Sequence, residues 1–231
     1  YEYASGSWSQ LGSDIDGEAT IDYSGHSVSM NSAGDRVAIG AYNNGHGTAT
    51  SGAGHVRIYE YASGSWSQLG ADIDGEAASD ASGYSVSMNS TGDRVAIGAW
   101  GNDGTASNAG HVRIYEYASG SWSQLGVDID GEAASDGSGI SVSMNSAGNR
   151  VAIGAYNNDG TASNAGHVRI YEYASGSWSQ LGVDIDGEAA NDASGQSVSM
   201  NSAGDRVVIG AQGNDGTGTS AGHARVYYLT P

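Results

Sequence analysis

The phrase Tyr-Glu-Tyr-Ala-Ser-Gly-Ser-Trp-Ser-Gln-Leu-Gly opens the chain at Tyr1 and returns at Tyr59, Tyr115 and Tyr171, at spacings of 58, 56 and 56 residues. A period of this length means that one supersecondary unit is copied along the chain. Each unit is too small to bury its apolar face alone and is stabilised by its neighbours. No shift in composition marks a linker, so residues 1–231 read as a single domain with repeats starting near 1, 59, 115 and 171.

Within a repeat the pattern is that of strands. In the second copy Tyr84-Ser-Val-Ser-Met-Asn89 alternates small polar with apolar residues, and Ser90-Thr91-Gly92-Asp93 makes a turn. Arg94 to Trp100 follows, apolar on both faces as a sandwiched strand should be. A Gly/Asn/Asp loop leads to His111-Val-Arg-Ile-Tyr-Glu-Tyr117, which alternates with period two, and Ser119-Gly120 turns the chain into Ser121–Leu125. Glycine interrupts every window in which apolar residues could recur at helical spacing. Four antiparallel strands per repeat predict an all-β fold, a β-propeller of four blades of about 56 residues. The chain opens on the end of a third strand plus a fourth and closes on a third. The N-terminal strand is therefore expected to complete the last blade and leave no open edge.

Three elements in order carry a resemblance to a known family. Ser-Gly-x-Ser-Val-Ser occurs at Ser24, Ser82, Ser138 and Ser194, then Val-Ala-Ile-Gly-Ala at Val37, Val95 and Val151 (Val-Val-Ile-Gly-Ala at Val207), then Gly-His-Val-Arg-Ile-Tyr at Gly54 and its copies. This series resembles the FG-GAP repeat of integrin α subunits and related bacterial surface proteins, which implies a β-propeller. The family's Phe before Gly and Pro after Gly-Ala are absent here. Its calcium loop between the first two strands is replaced by the short turn Asn31-Ser-Ala-Gly-Asp35 and its copies.

Charge narrows the partners. The chain has 26 acidic residues against 8 basic ones, all Arg, for a net charge of −18. Such a surface repels nucleic-acid phosphates and anionic lipid, and no apolar run is long enough for membrane insertion. The absence of Lys fits a saline medium in which a Debye length below ~8 Å screens self-repulsion. A secreted or cell-surface location is expected. With no Cys, disulfides and thiolate chemistry are excluded.

The loops joining second to third strands, and fourth strands to the next repeat, emerge on one face and carry 19 of the 26 acids. Each repeat places Asp-x-Asp-Gly-Glu there: Asp14, Asp16, Glu18; Asp72, Asp74, Glu76; Asp128, Asp130, Glu132; Asp184, Asp186, Glu188. Alternate carboxylates beside a Gly can converge on a hard cation, and Ca2+ is the expected one; solvated turns with Asp capping backbone N–H groups are the competing reading. His55, His111, His167 and His223 recur one per blade and are expected to hydrogen-bond structurally, and Trp8, Trp66, Trp122 and Trp178 to lie in the core. Side chains that break the repeat, His26, Tyr42, Tyr84, Trp100 and Tyr156, are the candidate ligand-binding set. Because almost every acid, His and Ser has a symmetry copy, the expected function is a non-enzymatic recognition or adhesion module for a protein or glycan. The alternative is a structural repeat unit of an array or filament formed by self-assembly.

Overall fold

A computed structural model describes residues 1–45 and 52–229; residues 46–51, in the loop after the second strand of the first repeat, and 230–231, with the one proline, lie outside it. The described residues form 20 strands and no helix. After a hairpin of β1 (Glu2–Ala4) and β2 (Ser7–Ser9), the first repeat contributes β3 (Ser27–Met30), β4 (Arg36–Ala41), β5 (His55–Ala62), β6 (Ser65–Gln68) and a short β7 (Ile73–Asp74). The second has β8 (Ser85–Met88), β9 (Arg94–Ala99), β10 (His111–Ala118), β11 (Ser121–Gln124) and β12 (Ile129–Asp130). The third has β13 (Ser141–Met144), β14 (Arg150–Ala155), β15 (His167–Ala174), β16 (Ser177–Gln180) and β17 (Ile185–Asp186), and the last β18 (Ser194–Met200), β19 (Arg206–Ala211) and β20 (His223–Tyr228).

Each full repeat is an antiparallel sheet in the order β3-β4-β5-β6, with β7 continuing on the β6 side of β5. The strands predicted from periodicity in the second copy fall within a residue or two of β8 to β11. Their hairpin turns place Ser and Gly at positive φ in succession, as in Ser119 (54°) and Gly120 (88°), which matches a tight two-residue reversal.

Consecutive sheets pack face to face, and the core consists of three apolar clusters, one per junction. Between the first two repeats, Ala38, Val56, Ile58 and Ile73 meet Val86, Met88, Val95 and Ile97. Polar bonds fix the same junctions. Ser27 Oγ donates to Gly83 O at 2.6 Å, and Ser85 and Ser141 repeat this toward Gly139 and Gly195. Gly40, Gly98 and Gly154 are required here, because a Cβ would overlap the carbonyl oxygens of Gly83, Gly139 and Gly195. The turns after β3, β8, β13 and β18 link in series, Ser32 N to Ser90 O, Ser90 N to Ser146 O and Ser146 N to Ser202 O. Met30, Met88, Met144 and Met200 line one open cavity of about 110 Å³ beside them.

The last sheet departs from expectation. β18, β19 and β20 form three strands, while β1 and β2 pair only with each other, so the N-terminal strand does not complete it. Among the described residues both ends of the stack are uncovered. Val28 and Met30 are 63% and 55% exposed, whereas their copies Val86 and Met88 are under 10%. Val226 is 72% exposed, although its copy Ile114 is 1%. Trp8, expected in the core, is exposed as well; Trp66, Trp122 and Trp178 instead pack at the junctions and donate Nε1–H to the carbonyls of Leu11, Leu69 and Leu125.

Candidate metal centre

The first residue of each third strand is the His. Antiparallel pairing of β5 with β7 sets His55 opposite Asp74 and Val56 opposite Ile73, which brings the preceding Asp72 beside the imidazole. Gly75 anchors the same segment: its N–H donates to Gly54 O at 2.7 Å, and a Cβ there would overlap Ala53 O. From the other side, the segment before β3 delivers Glu18. His55 Nδ1 stands 3.8 Å from Glu18 Oε2 and 3.9 Å from Asp72 Oδ2. The arrangement recurs as Glu76–His111–Asp128 and Glu132–His167–Asp184, with one ligand atom per residue and all three atoms within 4.8 Å of one another.

The imidazoles at these three centres are buried, and among the described residues neither ring nitrogen of His55, nor His111 Nε2, nor His167 Nδ1 has a hydrogen-bond partner. Burial is the largest influence on all three rings and holds them neutral: it pushes His111 down to about 4, helped by Arg113, and lowers His55 and His167 against the pull of their acids. A neutral ring 3.8 to 4.0 Å from a carboxylate makes neither an ion pair nor a hydrogen bond. Among the described residues the hydrogen bonds expected of these His are therefore missing at both nitrogens of His55, at His111 Nε2 and at His167 Nδ1. Each Glu is held from behind by an Arg. Arg57 Nη1 lies 3.5 Å from Glu18 Oε1, and its Nη2 donates to Asp16 O at 2.7 Å, an arrangement copied by Arg113 and Arg169.

The Asp-x-Asp-Gly-Glu motif does not wrap one ion. Its first Asp and its Glu go to neighbouring centres: Asp72 faces His55, while Glu76 faces His111. The middle residues Asp16, Asp74, Asp130 and Asp186 stand outside the clusters and offer their backbone carbonyls to Arg57, Arg113, Arg169 and Arg225. Among the described residues Asp14 belongs to no cluster, and Glu188 stands 3.8 Å from His223 Nδ1 and 3.4 Å from Arg225 Nη1 without an Asp beside them. At the family's calcium position, the Asp of the turn is taken up locally. Asn31 Nδ2 donates to Asp35 Oδ1 at 2.7 Å and Asn31 Oδ1 accepts from Asp35 N and Arg36 N, so this turn does not fit a cation. Asp22, Asp80, Asp136 and Asp192 are buried caps; Asp80 accepts from Ala77 N and Asn102 Nδ2.

Four of the five repeat-breaking residues come together. His26 lies 4.6 Å from Tyr42 and 4.5 Å from Tyr84 between ring centroids, Tyr23 stacks on Tyr42, and Tyr84 meets Trp100 edge-on at 6.0 Å. Tyr156 stands apart in the third repeat, beside Gly137.

No family description and no curated protein matches this sequence. Among solved structures, the fold is similar to a "putative 6-phosphogluconolactonase" from Bacteroides uniformis, with a TM-score of 0.57 and 10% identity. The match takes in 88% of this chain, which spans 55% of that one. At this identity the likeness shows the fold alone. It does correct the expectation of a non-enzymatic recognition or adhesion module, and with it the array alternative: a fold of this kind occurs in a protein described as an enzyme. Copying of acids and His between repeats is a property of the architecture and does not exclude catalysis.

Proposed function

We propose that this chain binds divalent cations at its repeated Glu-His-Asp centres, on four blades of a β-propeller of the FG-GAP type. The observation that carries the reading is a buried, neutral imidazole faced by two carboxylates from separate segments, three times over, with at least one ring nitrogen of each lacking a hydrogen-bond partner among the described residues. A buried polar ring without a partner costs free energy, and a cation between ring and acids supplies the missing partner. The donor set selects the ion. One imidazole nitrogen with two carboxylates suits zinc and its transition-metal neighbours, whereas calcium takes six to eight oxygens, so zinc replaces the calcium expected from sequence. The arginine behind each Glu would fix that carboxylate's orientation, as outer partners do at metal centres. Four equivalent strands around one cavity, and the likeness to a solved structure of the same fold, support the propeller part of the reading. A lysine-free acidic surface suits a secreted or cell-surface setting.

Equilibrium dialysis against Zn2+ and Ca2+ with metal analysis tests this. The parent should retain one Zn2+ for each of the three centres and keep them against excess Ca2+, and His111→Ala and Glu76→Gln should each retain one fewer. A parent that retains no Zn2+, or variants that retain as many ions as the parent, would overturn it.

A further inference from the structure

The Glu-His-Asp centres are closed on the side of the imidazole and open on the side of the acids. At the second centre the His111 side chain is 1% exposed, whereas those of Glu76 and Asp128 are 45% and 33% exposed. Three side chains offer one ligand atom each, one fewer than the four positions of a tetrahedral zinc ion. The remaining position therefore lies on the acid side, within reach of water and small solutes.

Both ligand acids are held in orientation by other side chains. Gln124 Nε2 donates to Asp128 Oδ1 at 2.6 Å, and Arg113 Nη1 stands 3.4 Å from Glu76 Oε1. A third carboxylate lies beside them. Asp130 is the strand partner of His111, and directly opposed residues of an antiparallel pair point to one face with Cβ atoms about 4.5–5.5 Å apart. Asp130 nevertheless stays outside the group of converging ligand atoms. Its backbone carbonyl accepts from Arg169, while among the described residues no hydrogen bond or ion pair engages its carboxylate. Gly104 stands next to it, where a Cβ would come 3.6 Å from Asp130 Oδ1, so this loop lays no side chain over the oxygen. The third centre repeats the arrangement, with Asp186 opposite His167, Gln180 on Asp184, Arg169 behind Glu132, and Gly160 beside Asp186. Asp74 keeps the same register opposite His55.

We infer that these centres hydrolyse uncharged carboxylic esters, with a zinc-held water as nucleophile and Asp130, like its copies Asp74 and Asp186, as the general base. The inference rests on the reading of the triads as zinc centres. Asp130 takes a proton from the water, and the water oxygen bonds to the ester carbonyl carbon. The acyl carbon–oxygen bond then breaks, and the leaving alkoxide takes the proton back from Asp130. One water is consumed, a carboxylic acid and an alcohol are released, and nothing is oxidised or reduced. Arg113 and Arg169 draw charge from Glu76 and Glu132, which leaves the zinc a stronger Lewis acid than two unpaired carboxylates would. The net charge of −18 disfavours anionic esters.

Hydrolysis of 4-nitrophenyl acetate at neutral pH tests this, with zinc retention measured on the same samples. The zinc-loaded parent should turn over repeatedly, and outpace both chelator-treated protein and free Zn2+ at equal concentration by ~100-fold or more. Asp130→Asn should keep all its zinc and lose about one third of the rate, and Asp130→Asn with Asp186→Asn about two thirds, since each of the three centres works alone. Added formate, a diffusible carboxylate, should return part of the rate to the double variant, which a merely structural role for the two Asp would not allow. A parent that retains zinc but is no faster than the free ion overturns the inference and leaves the metal reading standing. Variants that keep both the zinc and the full rate also overturn it, as does a double variant whose rate formate leaves unchanged. Variants that lose one zinc for each Asp replaced overturn it too, because these Asp are then ligands and the centres are closed. A parent that retains no Zn2+ removes the metal reading and the activity together.

Discussion

The same alteration at equivalent positions of two repeats should have opposite consequences. Ile114 is 1% exposed and lies in a cluster with Ala96, Val112, Ile129, Val142, Met144, Val151, Ile153 and Trp178, drawn from two sheets and the segments that join them. Ile114→Ala removes the apolar branch and leaves a gap that rigid strands on both sides cannot close, which costs about 3 kcal/mol. For a chain of this length that lowers Tm by roughly 6–12 °C. Val226 holds the equivalent place in the last repeat with 72% of its surface exposed, so Val226→Ala in dilute chain should cost below about 0.5 kcal/mol. Denaturant melts followed by Trp fluorescence read both values, since Trp178 packs in the Ile114 cluster. If Val226→Ala already matches Ile114→Ala in the monomer, the last repeat is covered within the chain and the open stack is wrong.

Gly98→Ala should destabilise by roughly 1–3 kcal/mol, because its Cβ would overlap the Gly139 carbonyl that Ser85 Oγ also engages; a variant as stable as the parent would show that the junction is looser than described. In chelator-treated protein, His111 has a folded-state pKa of about 4, below its unfolded value of 6.5, so the unfolded chain binds the extra proton between these values. Stability from this group is then full above about pH 6.5 and falls as pH drops toward 4, by about 3 kcal/mol, with His55 and His167 acting in the same direction. Melts at successive pH values should show a shallower decline for His111→Asn than for the parent. Equal slopes would mean that the ring is not buried in its neutral form.

The sequence by itself determined the repeat, the strand positions and the turn chemistry, because these follow from spacing along the chain. Alternation in Ser85–Met88, the two-sided apolar run of Arg94–Ala99 and the Ser119-Gly120 reversal each depend on neighbours a few residues away. The short strand Ile129–Asp130 left no periodic signal, since two residues are too few to show one; its pairing with Val112 and His111 comes from the tertiary path. Only the tertiary structure split Asp-x-Asp-Gly-Glu between two centres, and it did so because Gly75 and its copies press the segment against the preceding third strand, which leaves Asp72 behind it and Glu76 ahead. His was read as structural on the assumption that equivalent positions on separate blades cannot converge; that holds among the His themselves, but His55, His111 and His167 each meet acids from two other segments. The open ends were hidden for a related reason. Val28 and Val86 stand in the same local pattern, and their burial differs only because a sheet lies against one and not the other.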